Sequence, residues 1–423
     1  MKPFLTVSLA ALLGQTLTAQ APTPAAPADY VVHEWGTFTS MTDKEGAVLE
    51  GLHHEEEHLP KFVHDLMKVT EEGIPKNVKL PASYVTQKME TPVIYFYSDS
   101  DEAMRAKVRV WFRDGLMTQF YPLPATIYPR ITTAQKQLVD MRKVKASALT
   151  WDVDVLPRSA NEGTTGVPAV AEDDPWHFAR QTRANLVRTR LRPGSKAKAE
   201  TEHYLFYRGL GRWQPDVTGT ASTEGTLHFQ NRMGQTVPFA LALELGPRGG
   251  RFVVGSVIAS GATHDFDFDN GTGWIEDREH FARRIGAHVL RALVDQGLYV
   301  DEARAMVATW SRSWFQTDGT RVIYLLPRQT LDGALILSLD PAPKELVRVM
   351  VGRHEMITPA AQTEVENALD QQGSSDPTIA RRGAERLMAL DRFLEPHLRN
   401  VARNGRSART RRAAEAMLAN VTR

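Results

Sequence analysis

The segment LTWDVDV (residues 149–155) alternates apolar and polar side chains with a period of two. Its tryptophan and valines share one face, and its threonine and aspartates share the other. This alternation predicts a β-strand with one face in a core and the other toward solvent. On both sides of it lie further segments rich in β-branched and aromatic residues, separated by Gly and Asn turns. These are residues 93–97 (VIYFY), 107–112, 203–207, 226–229, 237–245 and 252–258.

Regularly spaced strands of this kind indicate a β-sandwich or an open barrel. Residues 30–272 are therefore predicted to form a β-rich domain, interrupted by one helix over residues 172–192.

The pattern changes after Gly273, where apolar residues recur at helical spacing. Residues 276–296 predict a helix that ends at Gly297, and Asp301 is a plausible N-cap for the next helix. Three short strands are predicted over residues 321–326, 334–339 and 346–351. Helices then close the chain, the last two as an αα-hairpin. The fold class is therefore predicted as α+β, with a β-sandwich-like N-terminal part and a mainly helical part over residues 273–423.

The first 30 residues have the pattern of a signal peptide followed by a linker. Lys2 precedes an apolar run over residues 4–13, and small residues follow, so residues 1–19 predict a cleavable signal peptide. The run is too short to span a bilayer. A buried N-terminal helix is disfavoured by the prolines of the linker, residues 20–29. The protein is therefore expected to be exported, periplasmic or extracellular, with no transmembrane anchor after signal cleavage.

Composition restricts the chemistry available to the chain. It has no cysteine, which excludes thiolate metal sites and cysteine nucleophiles. Its 423 residues carry a formal net charge of +1, so no excess of one sign indicates a nucleic-acid partner. Signatures of nucleotide-binding loops and serine hydrolases do not occur in the sequence.

The string His54-Glu55-Glu56-Glu57-His58 satisfies the H-E-x-x-H pattern. On a helix this spacing places two imidazoles on one face, where they can bind zinc, and the intervening glutamate can deprotonate a metal-bound water. His64 follows six residues after His58. The spacing therefore predicts His54 and His58 as zinc ligands and Glu55 as the catalytic base. The alternative interpretation is an exposed polar loop or a short helix.

This local pattern resembles the metzincin zinc peptidases. His64 stands at the third-ligand position of the metzincin pattern. The resemblance therefore implies a zinc-dependent peptidase with His54, His58 and His64 as zinc ligands and one position left for water. Two residues depart from the metzincin pattern. Lys61 stands where that family has glycine, and Pro60 would end a helix early.

A second candidate metal site lies in DFDFDNG (residues 265–271), followed by Glu276. Alternate aspartates, a glycine and an acid at the twelfth position, counted with the first aspartate as position one, are similar to a calcium-binding loop. The predicted calcium ligands are Asp265, Asp267, Asp269 and Glu276. The alternative is a strand with its phenylalanines inward and its aspartates outward, ended by an Asn-Gly turn.

Four longer segments resemble a group of exported bacterial proteins of unassigned function. They are HEWGTFTS (33–40), LPKFVH (59–64), KMETPVIYFY (88–97) and RVMVGRHEMITP (348–359). The resemblance implies kinship over most of the mature chain, but no reaction and no catalytic residue.

Two functions are consistent with these patterns. The first is an exported zinc-dependent hydrolase, with a peptidase as the candidate activity and a substrate that the sequence does not identify. The second is a non-catalytic, envelope-associated protein whose β-sandwich binds a polymer or another partner.

Overall fold

The computed structural model describes residues 27–54, 59–66, 84–129, 141–162, 166–191 and 194–421. The predicted signal peptide lies outside these residues. The described part is of mixed α+β class, with sheets in its N-terminal and middle parts and helices mostly toward the C-terminus, as predicted.

The largest sheet of the described residues has nine strands. In spatial order they are β14 (Gly249–Val254), β13 (Ala240–Gly246), β16 (Gly319–Leu325), β18 (Pro343–Met356), β1 (Ala28–Thr42), β3 (Gln87–Tyr97), β10 (Leu205–Gly211), β5 (Gly115–Tyr121) and β2 (His64–Asp65). Strands β1 and β18 run parallel, with Glu34 opposite Arg348, and the other neighbours in this sheet are antiparallel. The segments HEWGTFTS and RVMVGRHEM are therefore neighbouring strands.

Two smaller sheets cover one face of the nine-stranded sheet. The first contains β17 (Leu335–Asp340), β4 (Met104–Arg113), β7 (Ala146–Val155), β8 (Val187–Thr189) and β9 (Thr201–Glu202), with β6 (Thr126–Tyr128) paired to β7. The second contains β11 (Val217–Ala221), β12 (Leu227–Asn231) and β15 (Thr263–Phe266). One apolar cluster includes Phe38 of β1, Val108 of β4, Trp151 of β7 and Phe229 of β12, so this part has sandwich-like packing. Strand β7 contains LTWDVDV, whose predicted strand is confirmed.

The opposite face of the nine-stranded sheet packs against helices. These helices are α1 (Pro175–Ala179), α2 (Arg278–Asp295) and α3 (Val300–Phe315). A further short helix, α4 (Arg328–Ala334), precedes β17 in the chain. The cluster on this face joins Trp35 of β1 to Ile285 of α2 and to Trp310 and Trp314 of α3. Helix α2 agrees with its prediction. Helix α3 begins two residues earlier than predicted, because Tyr299 rather than Asp301 is its N-cap.

Four helices follow β18: α5 (Pro359–Gln372), α6 (Pro377–Met388), α7 (Leu394–Asn404) and α8 (Ala408–Val421). Leu398 and Val401 of α7 pack with Ala414 of α8 in a separate apolar cluster, so the last two helices contact each other. None of the helices in the described part of the chain is both long and apolar enough to span a membrane.

Two sequence-based boundaries differ from the structure. The helix predicted over residues 172–192 is wrong, because only α1 is helical there and β8 follows it. The Asn185 side chain donates to Ser98 O and Leu156 O, which holds this segment extended. The predicted division at residue 273 also passes through one sheet, since β16 and β18 pair with strands from before it.

Candidate metal centre

A loop after β1 carries His53 and His54 to the end of the nine-stranded sheet. Leu49 and Leu52 anchor this loop in a small apolar cluster. The backbone N–H groups of Gly51 and Leu52 both donate to Val85 O, at 2.9 and 3.3 Å. Gly51 has a φ of +100°, a conformation that residues with a Cβ rarely adopt. The loop therefore turns sharply just before the two histidines.

Helix α7 presents Glu395 to this loop. Glu395 is the second residue of α7, and its side chain is fully buried. Its Oε2 lies 3.0 Å from His54 Nε2 and 3.7 Å from His53 Nδ1. The two imidazole rings lie beside each other, with centroids 4.0 Å apart. One nitrogen from each histidine and one oxygen of Glu395 all lie within 4.8 Å of one another, so His53, His54 and Glu395 form a group that could hold a metal ion.

The surroundings favour the protonation states that metal ligands need. Burial, together with the neighbouring His54, lowers the pKa of His53 to about 4, so this imidazole is neutral at pH 7. Burial alone would raise the pKa of Glu395, but contacts with His54, His53 and Arg399 outweigh it and lower that pKa. Neutral imidazoles and an ionised carboxylate are the forms that bind metals.

Two cations hold the ligand residues in place. Arg399 donates to Glu395 Oε1 through Nε at 2.8 Å, which leaves Oε2 facing the histidines. Lys88 Nζ donates to the backbone oxygen of His54 at 2.6 Å. Lys88 also lies 3.6 Å from Glu90, which accepts a 2.6 Å hydrogen bond from Arg392. Secondary contacts of this kind orient ligands in metal sites.

The donor set limits which metals fit. Two imidazoles and one carboxylate suit zinc and other first-row transition metals, whereas calcium prefers an all-oxygen shell. Hydrolytic zinc sites use the same His₂Glu combination and keep a fourth position for water. The arrangement could therefore activate a water molecule.

Of the four residues predicted for the zinc site, His54 and His64 lie in the described part of the chain. His54 belongs to the metal-capable group, whereas Glu55 and His58 lie outside the described residues. His64 lies on β2, where its Nε2 is 2.8 Å from Glu200 Oε1. His54 and His64 thus have different carboxylate partners.

His53 and Glu395 were missed by the sequence interpretation. His53 stands next to His54 and could have been included on adjacency alone. Glu395 is 341 residues away from His54, and no spacing rule connects the two.

The predicted calcium residues do not form a comparable group in the described structure. Asp265 lies 2.6 Å from His228, and Asp267 caps a short 3-10 helix, Phe268–Asn270. Asp269 is exposed and 3.5 Å from Arg251, and Glu276 is also exposed. Phe266 and Phe268 are buried, which agrees with the alternative of inward phenylalanines and outward aspartates.

No family model matches this chain, and no curated protein matches it. Among solved structures, the chain is similar to the yeast delta-COP-I mu-homology domain complexed with a Dsl1 WxWxV peptide. The match has 8% identity and a TM-score of 0.28 and covers 80% of this chain and 100% of that chain. A further yeast delta-COP-I mu-homology domain structure matches with 8% identity, the same coverage and a TM-score of 0.27. Likeness at this level carries no argument about fold or function.

Proposed function

We propose that this chain is an exported zinc-dependent hydrolase whose metal ligands are His53, His54 and Glu395. The observation that carries the proposal is the convergence of these three side chains from two distant segments, with their ligand atoms within 4.8 Å of one another. His54 is retained from the sequence-based ligand set, and His53 and Glu395 are added to it.

A zinc ion on these ligands would lower the pKa of a bound water and supply hydroxide at neutral pH. Lys88 and Arg399 add positive charge beside the ligands. Positive charge at this position favours a reaction in which negative charge develops on the substrate, as it does in the hydrolysis of an ester or an amide.

Metal content tests the ligand set directly. The full chain, purified without a histidine tag and dialysed against a weak chelator, would be measured by inductively coupled plasma mass spectrometry. We expect close to one zinc per chain in the wild type and little zinc in His53→Ala/His54→Ala and in Glu395→Gln. The matched control is His64→Ala, because His64 is also partly buried and paired with a glutamate.

The outcomes separate the possible functions. Equal loss of zinc from His64→Ala would contradict the ligand set. Wild-type protein without any transition metal would retire the hydrolase proposal and favour the polymer-binding alternative, and calcium alone would indicate a structural ion. If zinc is bound, hydrolysis of chromogenic esters and peptides would be compared between the wild type and Glu395→Gln.

A further inference from the structure

The sheet that contains β4 and β7 buries one of its faces and exposes the other. Val108 and Val110 of β4 are buried in the apolar cluster between the sheets. The residues that alternate with them point the opposite way, and of these Lys107 and Arg109 are exposed and Trp111 is partly exposed. This second face, here called the outer face, is therefore open to solvent in the described part of the chain.

Three apolar side chains form a strip across the outer face. Ile336 of β17 lies opposite Trp111 of β4, and both Trp111 and Tyr128 of β6 lie opposite Ala148 of β7. The Trp111 and Tyr128 rings stack, with centroids 5.6 Å apart and an interplanar angle of 14°. Ile336 is 41% exposed and Tyr128 is 55% exposed. Because it crosses four neighbouring strands, the strip is about 14 Å long.

The carboxylates that β7 places on the outer face already have cationic partners. Asp152 lies 2.5 Å from Arg105, and Asp154 lies 2.7 Å from Arg190. Arg188 lies a further 3.7 Å from Asp154. Any additional cation on this face therefore needs its counter-charge from elsewhere.

Two additional cations flank the apolar strip. Arg109 and Arg113 stand two positions before and two positions after Trp111, on the same face of β4. Both are exposed, and neither forms an ion pair with any of the described residues. The Arg109 guanidinium lies 5.2 Å from the centroid of the Trp111 ring. A guanidinium that contacts a ring in this way keeps its N–H groups available to an anion.

This combination fits a chain of sugar rings that carries carboxylates. The C–H faces of a pyranose ring pack against aromatic and aliphatic side chains, and a carboxylate is a bidentate partner for a guanidinium. Arg109 and Arg113 are four residues apart on an extended strand, so their Cα atoms are about 13 Å apart. An extended ligand can reach both cations, whereas a single small anion cannot.

Other polyanions fit the outer face less well. A nucleic acid carries one phosphate per nucleotide, and such a dense row of charge would meet Asp152, Asp154 and Asp340 on neighbouring strands. The chain as a whole has a net charge of only +1. A peptide of acidic residues has no ring to pack against Trp111 and Tyr128.

We propose that the outer face binds an acidic polysaccharide, a polymer of sugar rings with carboxylate groups. The rings pack on Trp111, Tyr128 and Ile336, and the carboxylates pair with Arg109 and Arg113. The proposal goes beyond the zinc-dependent hydrolase and does not depend on it, because no ligand of the metal centre lies on this face.

The test measures binding of the full chain to immobilised polygalacturonate by biolayer interferometry. The salt concentration is about 0.15 M, where long-range attraction between charges is screened. Methyl-esterified polygalacturonate is the matched probe, because it has the same rings without the charges. Poly-L-glutamate and single-stranded DNA represent an acidic peptide and a nucleic acid. We expect polygalacturonate to bind at least about 10-fold more tightly than each of the other three probes.

Two variants remove the two parts of the binding surface separately. Arg109→Gln/Arg113→Gln removes the unpaired guanidiniums and should weaken polygalacturonate binding about 10-fold. Tyr128→Ala shortens the apolar strip and should weaken it about 3- to 10-fold. The matched control, Arg105→Gln/Arg188→Gln, also removes two positive charges from this face, but both are paired with aspartates. It should bind within about 3-fold of the wild type. All the substituted side chains are exposed, so circular dichroism should show unchanged folding.

The proposal is overturned if polygalacturonate does not bind the wild type, or if any of the other three probes binds as tightly. It is equally overturned if the matched control weakens binding as much as Arg109→Gln/Arg113→Gln does. Carboxylates also bind metal ions, so His53→Ala/His54→Ala is measured as well and should bind polygalacturonate as the wild type does. Loss of binding in that variant would place the polymer at the metal centre and overturn its assignment to the outer face.

Discussion

Glu34 of β1 and Arg348 of β18 form an ion pair inside the protein, with Arg348 Nε 2.5 Å from Glu34 Oε2. Both side chains are almost fully buried, and Tyr207 donates its hydroxyl to the other oxygen of Glu34 at 2.5 Å. The pair joins the two central parallel strands, on the sheet face opposite to His33. His33 instead lies 2.6 Å from Glu302 of α3, as expected for adjacent residues of a strand.

Removing one partner of this ion pair should destabilise the fold strongly. We expect Glu34→Gln to lower the free energy of unfolding by about 3 kcal/mol, because the buried Arg348 guanidinium then keeps only the partly exposed Asp332 carboxylate as its counter-charge. The measurement is urea denaturation followed by circular dichroism. Glu244→Gln, which breaks the more exposed Glu244–Arg251 pair, should cost at most about 1 kcal/mol. Similar losses in the two variants would contradict this prediction.

Buried histidines should make stability depend on pH. Burial lowers the pKa of His354 and of His397 to about 4, despite the nearby Glu355 carboxylate. As the pH falls from 7, the unfolded chain takes up protons near its ordinary histidine pKa and the folded chain does not. The stabilisation is therefore complete above about pH 6.5 and decreases toward pH 4.

Between pH 7 and pH 5 each such histidine should account for a loss of about 2 kcal/mol. Urea denaturation at the two pH values checks this expectation, and His354→Gln should reduce the loss by that amount. His280→Gln changes an exposed histidine on α2 and serves as the control. An unchanged pH dependence in His354→Gln would refute the assignment to that residue.

Gly51→Ala should distinguish the zinc affinity of the metal centre from the free energy of unfolding of the whole protein. A Cβ at Gly51 would lie 2.9 Å from the Glu395 carboxylate, and the φ of +100° disfavours any residue with a Cβ. We expect a loss of about 1–2 kcal/mol from the backbone conformation and at least tenfold weaker zinc binding, measured by competition with a chelator. Gly261→Ala has a comparable φ of +77° with no atom within 4 Å, so it should keep wild-type zinc affinity.

Trp151→Phe tests the segment that predicts the β-rich fold. Trp151 is fully buried and donates from Nε1 to Pro122 O at 2.7 Å. Phenylalanine leaves that carbonyl unpaired and creates a void, so we expect a loss of about 2–4 kcal/mol in urea denaturation. Trp111→Phe, at a partly exposed position on β4, should cost less than about 1 kcal/mol. Equal losses would argue against a core role for Trp151.

The local patterns predict the elements better than their assembly. Alternation identifies β7, and helical spacing identifies α2, because each pattern records which face of one element is buried. The parallel pairing of β1 with β18 is not encoded in either strand alone. The wrong helix over residues 172–192 has a similar origin, since Asn185 keeps that segment extended through bonds to distant backbone groups.

The candidate metal centre shows the same limit. His54 is identified by its place in a histidine-rich string, which is a local property. Its partner Glu395 becomes a candidate only when α7 packs against the loop that follows β1. The same packing buries the Glu395 carboxylate. The sequence alone does not show which of the 50 acidic residues of the chain is buried in this way.

The parallel pairing of β1 and β18 also constrains how the protein reaches its native state. Glu34 and Arg348 are 314 residues apart, so the middle of the main sheet stays open until most of the chain has left the ribosome. Contacts this distant in sequence slow folding, because a long loop must close before they can form. We therefore expect a folding intermediate in which β18 has not yet paired with β1. The unpaired edge of β1 makes this intermediate the form of the chain most exposed to chaperones and to aggregation.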